Sequence, residues 1–203
     1  DNAIQNLLEA VKLIKKDIQK GHFTEAFKDL VALSEQEHDF TLQSRYAALY
    51  NSIPSEKLEL KDLRLALLAT STVDHFIDIL KFWLAKQGFR VEIFSSPFNT
   101  IHQTVLDPTS DFYNFAPEFV WIFNNYRDVK LSVPFGASPN ECDAAIDIIL
   151  KEFVELWDVI QKQSSCHILQ NNFDLPNYRV FGNLEGSVGW SQINLLRKLN
   201  LSL

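Results

Sequence analysis

Methionine is absent from the 203 residues, cysteine occurs twice, glycine six times and proline seven times. With Asp1 first and no initiator residue, the chain is expected to be an excised piece of something longer. Cys142 and Cys166 lie on different predicted elements. Apart from His167, directly after Cys166, neither has a neighbouring His or Cys at metal-ligand spacing, so both read as structural thiols. The few glycines build no phosphate-cradling loop: Gly182, Gly186 and Gly189 fall late and out of pattern for either common nucleotide fingerprint, so no nucleotide cofactor is indicated. No apolar run approaches the ~20 residues that span a bilayer, and the first residues form a charged amphipathic pattern rather than a signal sequence. The chain is therefore expected to be cytoplasmic, with no membrane partner. Basic residues are also in deficit. Nineteen Lys and Arg stand against 26 Asp and Glu, and a net charge of −7 repels phosphate backbones, so no nucleic-acid partner is expected.

What is present is a globular composition, 46% hydrophobic and 22% charged, without low-complexity tracts. Ile4, Leu7, Leu8, Val11, Ile14 and Ile18 recur at three- and four-residue steps and predict a helix over 3–20. Gly21 stops it. Thr24 opens a second helix to about Gln36, and a third follows near 42–52. The phrase from Gly21 to Phe27 resembles the turn of a helical-hairpin repeat, but no second copy follows at the ~34-residue period. Residues 1–54 thus form a small helical cap. Pro54 and the charged run Ser55 to Asp62 read as a linker.

Past the linker the pattern changes to short apolar runs separated by helices. Residues 63–69 read as a buried strand, 73–87 as an amphipathic helix stopped by Gly88, and 91–94 as a second strand, giving a β-α-β unit with parallel strands. A short helix over 99–106, strands at 119–123 and 166–170, a long helix over 140–162, and a final helix from Ser187 or Ser191 to Leu201 complete 63–203. The expected fold is α/β: a parallel sheet covered by helices on both faces, a three-layer sandwich.

In such a sheet, ligands collect outside the carboxyl ends of the strands. The first strand ends in Thr70-Ser71-Thr72, the third in Asn124-Asn125-Tyr126-Arg127-Asp128 and the fourth in Asn171-Asn172-Phe173-Asp174. Ser71 is a candidate nucleophile if a base lies within hydrogen-bond reach, with Asn125 and a backbone amide stabilising an oxyanion. The competing reading makes the hydroxyls N-caps of the next helix. Thr70, Thr72, Arg127 and Asn172 are candidate substrate contacts, Arg127 because a guanidinium there can hold a carboxylate or phosphate bidentately. Blander readings pair Arg127 with Asp128 at the surface and leave Asn125 to satisfy loop backbone groups. No His follows an Asp at a three-residue step. Glu35 and His38 have helical Glu-x-x-His spacing without partner carboxylates, so no metal is predicted.

The stretch Leu68-Ala69-Thr70-Ser71-Thr72-Val73, then Phe82-Trp83-Leu84 with Gly88-Phe89, resembles the start of the amino-terminal domain of FkbH-like proteins of the haloacid dehalogenase superfamily. The block from Ile101-His102-Gln103-Thr104 to Phe115-Ala116-Pro117 is the most specific match. Asn172-Phe173-Asp174-Leu175-Pro176, Gly182-Asn183 and Leu199-Asn200 extend the resemblance over about 63–203. It implies an SGNH-hydrolase-like domain of flavodoxin-like strand order, followed in the parent by a catalytic haloacid dehalogenase domain absent from this chain. Magnesium belongs to that missing domain and no cofactor to this one. The resemblance further implies phosphorylated three-carbon substrates, an acyl carrier protein and the parent's own following domain as partners, and glyceryl transfer for polyketide extender units. On the SGNH pattern Ser71 takes the nucleophile position and Asn125 the oxyanion position. Ala69-Thr70 replaces the Gly-Asp before the Ser, and the terminal Asp-x-x-His would lie beyond Leu203.

The leading expectation is therefore a binding or assisting domain of an FkbH-like phosphatase or glyceryl-transfer protein. The alternatives are an ester hydrolase using Ser71, and an interaction scaffold acting through the amino-terminal helices.

Overall fold

The computed structural model describes residues 2–35 and 39–203. By contacts the chain groups into two compact units, Asp1–Leu63 with Val73–Ile93, and Arg64–Thr72 with Phe94–Leu203.

In the first unit, α1 (Asn2–Gln19), α2 (Phe23–Leu33), α3 (Phe40–Asn51) and α4 (Asp74–Lys86) surround one apolar centre. Ile14, Leu30, Tyr46 and Phe82 are fully enclosed there, and burying such a side chain stabilises by about 1.5–3 kcal/mol. Gly21, at φ 80°, occupies the left-handed position that lets the chain leave α1 and turn into α2. The second helix ends at Leu33, and its expected end at Gln36 lies outside the described residues. Asp39 caps α3 by accepting the Leu42 N–H at 2.9 Å. The expected linker is partly structured. Ser55–Lys57 form a single 3-10 turn, and strand β1 (Lys61–Ala69) begins two residues early because the Arg90 guanidinium holds the Asp62 carboxylate at 2.5 Å and the Ser55 carbonyl at 3.2 Å.

The sheet has the order β2-β1-β3-β4, with β2 at Phe89–Ser95, β3 at Phe119–Phe123 and β4 at His167–Gln170. This is the parallel α/β class and flavodoxin-like order expected. In the second unit, β3 pairs in parallel with both β1 and β4, with Leu65 opposite Phe119 and Phe119 opposite His167. Ala66, Leu68, Val120 and Ile122 project from one face into a core with Val105 of α5 (Ile101–Leu106), Phe112 of α6 (Asp111–Phe115) and Leu156 and Ile160 of α7 (Pro139–Gln163). A second cluster joins α7 to α8 (Gln192–Ser202) through Ile146, Leu195, Leu196 and Leu199. Both cysteines are buried and free.

The block from Ile101 to Pro117 is a self-bonded unit. The Tyr113 hydroxyl donates to the Val105 carbonyl at 2.6 Å, Ser110 Oγ donates to the Thr104 carbonyl at 2.7 Å, and the Asp107 carboxylate accepts the Thr109 N–H at 2.9 Å. Helix α6 is not foreseen by periodicity, because five residues are too few to show a period.

The two long helices of this unit start on side-chain caps. Ser138 and Glu141 form a reciprocal capping box with Pro139 at the first position of α7, and the buried Ser191 caps α8. Replacing Ser191 with Ala is expected to cost about 1–2 kcal/mol, read as a lower urea midpoint with an unchanged m value. The Ser138 N–H and hydroxyl hold the Glu141 carboxyl below its ordinary pKa. Its contribution is therefore present above the ordinary carboxylate range and lost as pH falls through the depressed folded value. The Glu141→Gln variant should show a shallower loss of Tm on acidification below that range.

Candidate ligand site at the strand ends

The loops after β1, β3 and β4 in the second unit emerge at the carboxyl edge of the sheet, because parallel pairing places all three strand ends on the same side. Asp128 organises the surface. Its Oδ2 accepts the Thr70 hydroxyl, from the residue that follows β1, and the Asn125 N–H at 2.7 Å, from the loop after β3. One carboxylate thus ties together two loops separated by 58 residues of sequence.

A second tie crosses from β3 to β4. The Asn124 N–H donates to Asn171 Oδ1 at 3.2 Å, and Asn171 Nδ2 donates back to the Asn124 carbonyl at 2.8 Å. A third repeats this geometry lower in the chain: the Phe173 N–H donates to Asn200 Oδ1 and Asn200 Nδ2 to the Phe173 carbonyl, both at 2.8 Å. The Tyr126 N–H completes the set by donating to the Asp174 carboxylate at 2.9 Å. Each tie satisfies backbone groups that would otherwise lack partners at the sheet edge.

Three side-chain oxygens at this edge have no partner among the described residues: Ser96 Oγ after β2, Asn124 Oδ1 after β3 and Gln170 Oε1 at the end of β4. Ser96 is 8% exposed and Asn124 is 9% exposed, so water does not freely solvate them. Gln170 is fixed in orientation because its Nε2 donates to the carbonyls of Ile122 and Asn171 at 3.4 and 3.2 Å. An enclosed acceptor without a donor costs about 1–3 kcal/mol, which a bound hydrogen-bond donor recovers.

The candidate residues take different places in this arrangement. Thr70 is held by Asp128. Ser71 is half-buried, and its hydroxyl has no hydrogen-bond partner among the described residues. Thr72 is exposed. The capping reading fails for all three hydroxyls: the cap position of α4 falls on Val73, and no side chain bonds there. Asn125 Oδ1 accepts the Arg127 N–H at 2.9 Å, closing a local turn and satisfying a loop backbone group. Arg127 does not pair with Asp128, whose carboxylate is taken by Thr70 and Asn125. The guanidinium is exposed, donates to the Tyr126 hydroxyl at 3.2 Å and lies 5.4 Å from that ring. The Tyr126 hydrogen bond raises its pKa, so it stays cationic. Asn172 is exposed beside the Asn171 tie. Asp128, Asn171 and Asn200 escape sequence reasoning because their partners are set by strand register. Polar character after strand ends signals Asp128 and Asn171, and Asn200, within α8, carries no such signal.

Glu35 pairs with Lys86 at 3.3 Å, and its proposed partner His38 lies outside the described residues. Among the described residues no three His, Cys, Asp or Glu side chains converge, and Asp128 and Asp174 are committed to N–H and O–H donors. That donor set does not fit magnesium, which prefers several free oxygen ligands.

A four-stranded parallel sheet packed by helices, with polar loops gathered at its carboxyl edge, defines an α/β domain of the three-layer class. The chain belongs to the family described as FkbH, N-terminal domain, which matches residues 64–203. It is similar in fold to the crystal structure of the N-terminal part of the protein BF1531 from Bacteroides fragilis, which contains a phosphatase domain and is complexed with Mg. That likeness has a TM-score of 0.61 and 21% identity, and covers 82% of this chain and 41% of that one. The chain thus spans less than half of the protein it resembles. No curated protein matches the sequence.

Losing the Asp128 carboxylate in an Asp128→Ala variant strands the Thr70 hydroxyl and the Asn125 N–H and should cost about 1–3 kcal/mol in urea unfolding. Ser71→Ala, which breaks no hydrogen bond, should stay within about 0.5 kcal/mol of the parent.

Proposed function

We propose that this chain is the ligand-holding, non-catalytic domain of an FkbH-like protein. Its strand-end surface binds an acyl or phosphorylated small molecule, free or on a carrier protein, and assists a following haloacid dehalogenase domain in phosphatase or glyceryl-transfer chemistry. The observation that carries this reading is the state of the hydroxyls after β1. Thr70 is locked to Asp128, while Ser71 has no hydrogen-bond partner among the described residues. Acyl transfer needs a nucleophile whose proton is taken by a partner within hydrogen-bond reach. Binding needs only donors and acceptors held in place, and here they are held by the ties from Asp128 and Asn171. Arg127 supplies an exposed cation to the anionic part of such a ligand. The neighbouring fold from Bacteroides fragilis, described as containing a phosphatase domain, supports a place beside phosphatase chemistry.

The purified chain is expected to leave short-chain p-nitrophenyl esters intact and to bind an acyl-loaded carrier protein by calorimetry, with affinity reduced about tenfold or more in Arg127→Ala. Ester turnover that disappears in Ser71→Ala, at unchanged Tm, would instead establish a serine hydrolase.

A further inference from the structure

Helices α1 and α3 of the first unit leave an open trough between them, with a volume of about 620 Å³. Leu7, Leu8, Val11 and Ile18 line its α1 side, and Leu42 and Leu49 its α3 side. These positions fall at helical spacing on both walls, so two apolar stripes run side by side. From Leu7 to Ile18 the α1 wall is about 16 Å long at the rise of an α-helix, or three turns. The trough opens to solvent at its α1 wall, where Leu8 is 49% exposed. That geometry suits a rod laid on the surface rather than an acyl chain enclosed in a tunnel.

The charge around the trough selects the rod. Its charged lining residues are Lys15 and Arg45, with no carboxylate among the lining. Both side chains are exposed, and neither has an ion pair among the described residues. Helix α3 contains no acidic residue at all, in a chain whose net charge is −7. A locally basic, apolar trough on an acidic molecule is complementary to an apolar stripe flanked by carboxylates.

We propose that the trough between α1 and α3 is a docking site for an amphipathic helix of a partner protein, about three turns long, with apolar residues at i, i+3, i+4 and i+7 and Asp or Glu flanking them. The helix lays its apolar face against the aliphatic walls, and its carboxylates meet Lys15 and Arg45 at the rim. The two cations fix its direction and exclude basic helices, since like charges across an interface are costly. This site is independent of the strand-end surface and stands whether or not that surface binds a ligand.

The test uses the full 203-residue chain and two fluorescent synthetic helical peptides. They share one Leu stripe and differ only in carrying Glu or Lys beside it. Saturable binding of the Glu peptide is expected by anisotropy, weakening as salt is raised. The double variant Lys15→Glu with Arg45→Glu should reduce its affinity about tenfold or more without changing Tm, because both side chains are exposed. Ala48→Trp, which fills the trough from an exposed position, should abolish binding at unchanged Tm. Equal affinity for both peptides would reveal only an adhesive apolar surface, and absence of saturable binding would reveal none. Either result overturns the proposal. So would self-association that Ala48→Trp removes, since it would assign the trough to a second copy of the chain.

Discussion

Everything at the carboxyl edge depends on parallel pairing through β3. The strand is only five residues long, yet it is bonded on both sides, to β1 with Ala69 opposite Phe123 and to β4 with Ile122 opposite Gln170. A slip by one residue would reverse every side chain and drive Val120 and Ile122 out of the core they share with Phe112 and Ile160. The apolar contacts therefore set the register, and the register sets the level at which each loop leaves the sheet. The polar ties from Asp128 and Asn171 form only because those levels agree.

Those ties also separate holding from reacting. A carboxylate that accepts a hydroxyl and an amide N–H is occupied, and its geometry serves the loops. The hydroxyl beside it, Ser71, is half-buried and bonds to no acceptor among the described residues. In this sheet the carboxylate at the strand ends is spent on holding loops together.

Sequence patterns reached the elements more readily than the contacts between them. Strand β3 falls on the residues its apolar run predicts, and α7 extends one residue beyond its predicted limits at each end, because a helix of 25 residues repeats its period many times. Short α6 shows no period and passes unseen. Membership of the FkbH amino-terminal family was legible in the block from Ile101 to Pro117, whose residues bond to one another in the fold. The bond between Thr70 and Asp128 joins residues no local pattern links, and the expected caps gave way to Val73. Polar residues after strands announce a surface. Which of them meet is a property of the folded register.

The brevity of β4 has a further consequence for how the molecule keeps apart from its own kind. β4 is an outer strand of the sheet, four residues long, and it presents His167 and Leu169 outward before the chain turns away through Asn171 and Asn172. An incoming strand would find so few free backbone groups there that it could form only a short ladder, bordered by amides already engaged with Asn124. A truncated border of this kind is poor seed material for fibril growth, even without proline or a row of lysines guarding it.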